Sequence, residues 1–198
     1  MNKDYNDPTK QAVRTDTIIY PYRKLFGEKL PPEKQYWTLV GQLGEGSELD
    51  QVVKAGLIEP GQYHGVDFAD KGQAPPAHTY IGELSDEIRK AHYEERFDPG
   101  IVYIDTMYEP EKAIELLLLI LRTVNKTSGP CLVTWNVVIG NRRWGVNHTF
   151  EEIRDRLYSN MAARMELRSW TNYGKAWSYA GTGKSDTTMG SIAVYRKT

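Results

Sequence analysis

At 198 residues, the chain is long enough to bury a substantial core as one domain, without disulfides or metals to hold it. A net charge of -1, with 40% apolar and 26% charged residues, excludes a chain-wide field for polyanions, so a nucleic acid would need a local patch. The single cysteine, Cys131, excludes an intramolecular disulfide and a cysteine-rich metal site, and within "CLVTWNVVI" it reads as a small buried hydrophobe.

In chain order, the first stretch, "MNKDYNDPTKQAVRTD", is polar and aperiodic, which predicts a loosely docked or disordered tail and no signal peptide. "TIIYPYRKLFGEKLPPEK" is an irregular or short helical lead-in, because Pro21, Pro31 and Pro32 break any long helix. Residues 1–35 are thus expected as tail and lead-in, and residues 36–198 as the folded domain.

From there strands alternate with helices. "QYWTLVG" predicts a strand and "SELDQVVKAGLI" a helix with Ser47 as N-cap. "QYHGVDF" is strand-like, and "GQAPPAHTYIGEL" is a Pro-rich loop running into a short strand. "SDEIRKAHYEERF" predicts a helix capped by Ser85 or Asp86. "PGIVYIDTM" is a buried strand, and the long helix of "EPEKAIELLLLILRTVNK" carries Pro110 in its first turn. Its apolar run is interrupted by Glu115 and is far too short to cross a bilayer, which with the polar N-terminus predicts a soluble, cytoplasmic protein. "GPCLVTWNVVI" is another buried strand, and Thr149 with Glu152 forms a capping box for the next helix. The aromatic and β-branched residues after Met165 predict a closing antiparallel hairpin. Five strand–helix units imply an α/β fold, with a mostly parallel sheet covered on both faces as a three-layer sandwich.

In such a sheet, ligands sit at the carboxyl ends of the strands, where strand order reverses. The loop "GQLGEGS" lies at that place, after the first strand, and Gly44 and Gly46 would let backbone N–H groups approach an anionic ligand. Alone the loop is equally a tight turn, since Leu49 breaks G-x-G-x-x-G and no Lys–Ser/Thr pair follows. Acids at the following strand ends add to it. Asp67 ends strand two, where a carboxylate can accept from both ribose hydroxyls. Gly82 and Glu83 end strand three, beside the edge of an adenine, and Asp105 and Tyr108 end strand four.

"QLGEGSEL", Asp67, Gly82–Glu83 and "IDTMY" together resemble, in order, the first four motifs of the class I S-adenosylmethionine (SAM)-dependent methyltransferases. The resemblance covers residues 36 to 198. It implies a Rossmann-like, seven-stranded sheet closed by an antiparallel C-terminal hairpin, with SAM as cofactor. Gln42, Gly44 and Gly46 would then lie along the methionyl part, Asp67 would hold the ribose, and Gly82 and Glu83 the adenine. Gln42 stands where the family usually has an acid, and Glu48 where a third glycine often sits.

The implied activity is methyl transfer to an acceptor such as an amino group on a nucleobase or small molecule. Asp105 would accept a hydrogen bond from that acceptor and Tyr108 would stack on a flat ring, although Thr106 and Met107 replace the family's two prolines. The best basic-aromatic patch for a nucleic acid or an anionic substrate is "NRRWG", residues 141–145. A methyltransferase-like module that has lost catalysis and acts by binding or inhibition is the alternative, and a different nucleotide-binding Rossmann-like protein is a third. The four histidines show no metal-ligand spacing. "GTGKSDTT" contains Gly-Lys-Ser but stands too near the end of the chain to open a phosphate-loop helix, so a hairpin turn is expected there. The methyl acceptor, oligomeric state and biological process are not legible.

Overall fold

The computed structural model describes residues 8–40, 43–69, 76–106, 108–141, 145–165, 170–180 and 187–197. Gln42, the Arg142–Arg143–Trp144 cluster and the Gly-Lys-Ser stretch lie outside the described residues.

The first helix is α1, Pro8–Arg14, which continues through a π-helical turn, Thr15–Ile19, into α2, Tyr20–Phe26. Residues 8–16, expected as part of a loose tail, are therefore helical. Val13, Ile18, Ile19 and Tyr22 are buried, so this stretch belongs to the core. Its polarity misleads because only one side of the helix is apolar.

The strands are β1 Gln35–Leu39, β2 Tyr63–Asp67, β3 His78–Ile81, β4 Pro99–Asp105, β5 Cys131–Asn141, β6 Val146–Asn147, β7 Trp170–Ala180 and β8 Thr187–Arg196. The later helices are α3 Glu48–Lys54, α4 Leu84–Tyr93, α5 Pro110–Val124 and α6 Phe150–Met165. Ser47 caps α3 by accepting from the Asp50 N–H at 3.2 Å. Thr149 and Glu152 form the reciprocal capping box at the start of α6. Helix α4 starts one residue before the expected caps, at Leu84 with Glu83 in the N-cap position.

The sheet runs β3-β2-β1-β4-β5-β8-β7. Strands β1 to β5 are parallel neighbours, and β8 lies antiparallel between β5 and β7. The mostly parallel α/β sheet with its antiparallel closing hairpin matches the sequence expectation. The count of seven does not: the described residues form an eight-stranded sheet. The addition is the two-residue β6, which turns back onto Gly140 and Asn141 of β5. Two residues give no readable alternation, so sequence pattern cannot reveal such a strand.

Alternate side chains of the central strands serve two cores, as the two-residue strand period requires. Trp37, Val102, Ile104, Val133 and Trp135 pack with residues of α4, α5 and α6. Tyr36, Ile101, Tyr103 and Leu132 pack on the other face with Ile18, Tyr22 and Val52. The chain leaves β1 toward β2 and β3 on one side, then crosses to β4 and β5 on the other. That reversal leaves a crevice above the carboxyl ends of β1 and its two neighbours. No helix among the described residues is long and apolar enough to cross a membrane.

Candidate functional site

A cavity of ≈ 290 Å³ occupies that crevice, a volume near the lower end of small-ligand sites. Leu39 and Val40 come from the end of β1, Asp67 and Phe68 from β2, Glu83 and Leu84 from the start of α4, and Asp105 and Thr106 from β4. Tyr108 and Leu116 close one wall. Four of the residues expected from sequence, Asp67, Glu83, Asp105 and Tyr108, thus line one cavity.

The glycines act differently from the expectation. Gly44 and Gly46 adopt positive φ values of 109° and 74°, which side chains seldom tolerate. The Ser47 N–H donates to the Gly44 carbonyl at 3.1 Å, and the Gly46 N–H donates to the Asp50 carboxylate at 2.8 Å. Their backbone shapes the turn into α3 but does not line the cavity. Gly82 likewise stays out of the lining, although its N–H donates to the Asp67 carbonyl at 2.9 Å. That bond sets Glu83 beside Asp67. One Asp67 carboxylate oxygen accepts from the Ala69 N–H at 2.9 Å, which fixes the side chain at the end of β2.

Asp105 is held from two sides. Asn136 on β5 donates to it at 3.2 Å and to the Tyr103 hydroxyl at 2.7 Å, while Lys10 lies 3.7 Å from its second oxygen. Tyr108 carries the Lys112 ammonium 5.0 Å above its ring.

Three charged cavity residues were not read as site residues: Lys10, Arg14 and Glu48. Lys10 and Arg14 are four apart on a helical segment, so they share a face. That spacing was the available signal, hidden by reading the segment as a tail. Arg14 is 2% exposed, and its Nε stands 3.9 Å from Glu48. Burial opposes the Arg14 charge, but the surrounding acids, Glu48 foremost, outweigh it and hold the guanidinium ionised. Burial pushes the Glu48 carboxyl up to about 7, against the pull of the Arg14 charge and the Thr38 and Tyr36 hydroxyls. The Tyr36 hydroxyl donates to Glu48 at 2.9 Å, and burial raises that phenol well above its ordinary range. At this end the cavity therefore presents two cations, one fixed carboxylate and one carboxyl poised near neutrality.

No protein-family model and no curated protein matches the chain. Solved structures do. An O-methyltransferase from Bacillus cereus in complex with SAH (S-adenosylhomocysteine) is 12% identical over 97% of this chain and 92% of that one, with a TM-score of 0.45. The O-methyltransferase TomG from Streptomyces achromogenes, involved in tomaymycin synthesis and solved with SAM, is 13% identical over 97% and 99%, with a TM-score of 0.46. A SAM-dependent methyltransferase from Anabaena variabilis is 10% identical over 93% of this chain and 86% of that one, with a TM-score of 0.51. At these identities the likeness concerns the fold. With the strand order and the closing hairpin above, the similarity to the Anabaena protein identifies this chain as having the class I SAM-dependent methyltransferase fold.

Proposed function

We propose that the chain binds SAM in the crevice above β1, β2 and β4 and transfers its methyl group to an acceptor. One observation carries this reading: a single cavity gathers Asp67 and Asp105 from the ends of β2 and β4, Glu83 from the start of α4, and Tyr108 from the turn after β4. The donor set suits the cofactor. Asp67 would accept from the ribose hydroxyls, and Glu83, with Gly82 beside it, would accept from the adenine amine. The tight turn through Gly44 and Gly46, preceded by Gln42, would leave room beneath the methionyl chain.

The cofactor, when bound, supplies an electrophilic methyl on a sulfonium. The chain's own task is then to position the acceptor and to receive its proton or hold its hydrogen bond. Asp105 is suited to accept from an acceptor N–H or O–H, because Asn136 and Lys10 fix its carboxylate in place. Tyr108 offers a ring face to a flat acceptor, such as a nucleobase or another small aromatic molecule. Lys10, within reach of Asp105, adds a positive charge that favours an acceptor with some anionic character.

Calorimetric titration with SAH tests the reading. Saturable binding is expected, with affinity falling at least about tenfold in Asp67→Ala through loss of a charge-assisted hydrogen bond. No heat and no thermal shift at millimolar SAH overturns it.

A further inference from the structure

The charges lining the cavity are unevenly distributed. Asp67 and Glu83 stand on the β2–β3 side of β1, joined through the Gly82 N–H. Lys10, Arg14, Glu48 and Asp105 form the other group, linked by the Lys10–Asp105 and Arg14–Glu48 pairs. Two cations beside two acids form a complement to a zwitterion, whose carboxylate seeks the cations and whose ammonium seeks the acids.

Arg14 is the unsatisfied member of this group. Its Nε is buried and donates no hydrogen bond, and Nη1 makes one long contact of 3.4 Å to Gln51. The 3.9 Å separation from Glu48 provides Coulombic attraction without a hydrogen bond. A buried donor left unmade is costly, so the Arg14 guanidinium, which lines the cavity, keeps hydrogen-bonding capacity to spare. The position of Arg14 is imposed from outside the cavity. Gln51 on α3 donates to the Gln11 carbonyl at 2.8 Å, and Thr134 on β5 donates to the Thr17 carbonyl at 2.7 Å. Val13 packs against Val138 and Met189. The N-terminal helix is thereby tied to both layers, with Arg14 turned into the site.

We infer that Arg14 is the carboxylate-binding residue of this site, holding the α-carboxylate of an aminoacyl ligand against the N-terminal helix. The inference rests on the cofactor reading above, since the aminoacyl end of SAM is such a zwitterion. A guanidinium suits the task because its planar fork matches a carboxylate.

The test compares SAM with decarboxylated SAM, which keeps the ammonium and the adenosine but lacks the carboxylate. Wild-type protein is expected to prefer SAM by about tenfold or more, the range of a charge-assisted hydrogen bond. Arg14→Gln, and the double variant Arg14→Gln with Glu48→Gln, should bind the two ligands within about twofold of each other. The double variant removes both buried charges together, so neither is stranded. Equal affinity for both ligands in wild-type protein overturns the inference, as does a preference for SAM that survives in a folded variant. The wild-type comparison needs no substitution, so a variant that fails to fold leaves it decisive. If wild-type protein binds neither ligand, it is the cofactor reading that fails.

Discussion

Between Arg14 and Tyr36, Glu48 is 7% exposed, and burial raises its carboxyl to about 7 from an ordinary 4.5. The folded chain therefore keeps this proton over a range where the unfolded chain has released it. By linkage, the Glu48 contribution to stability is present below about pH 4.5 and declines as pH rises to about 7. His64 acts in the opposite sense. Burial first, then the His78 and Arg96 charges, depress its pKa from 6.5 to about 3, so its contribution is present above 6.5 and is lost as pH falls. Its ring stacks between Trp37 and His78, each 4.7 Å away, and pairs with the Tyr80 hydroxyl at 2.9 Å. The two slopes oppose each other between pH 4.5 and 6.5, so the wild-type profile conceals both. Urea unfolding of wild-type protein and Glu48→Gln across that window should separate them. Wild type minus variant should fall by about 1–3 kcal/mol from pH 4.5 to 7; a flat difference would mean that Glu48 does not titrate abnormally.

At the scale of elements, the site depends on how closely β1 and β2 approach. A Cβ added at Gly65 would stand 2.9 Å from the Val40 Cβ and 2.8 Å from a Tyr63 ring carbon, closer than real Cβ atoms come. Gly65 lies two residues before Asp67, and Val40 lines the cavity. Gly65→Ala is thus expected to cost about 1–3 kcal/mol by overpacking, read as a lower denaturation midpoint. It should also weaken SAH binding without touching a ligand-facing side chain. The helix starts need no such long-range account. Ser47 for α3 and the Thr149–Glu152 pair for α6 are local hydrogen-bond arrangements, and sequence spacing alone announces them. The start of α4 eluded that logic because Glu83 occupies the cap position without a side-chain cap bond.

For the molecule as a whole, the N-terminal stretch is a structural part of the second core. Ile18 is fully buried in the cluster that holds Tyr36, Leu132 and Ala193, residues drawn from β1, β5 and β8. Ile18→Ala is therefore expected to lower the unfolding free energy by about 2–5 kcal/mol, measured by denaturant titration. A docked tail would lose only about 0.5 kcal/mol. The alternating strand–helix order, the closing hairpin and the acids at the strand ends were all legible in the sequence. Periodicity, caps and strand termini are local properties, set within a few residues of where they act. That Arg14 meets Glu48, that Lys10 meets Asp105 and that the glycine turn stays behind the cavity wall were decided only by the tertiary structure. These contacts join residues 34 and 95 positions apart, and no local pattern encodes how a helix packed across the strand ends will aim its side chains.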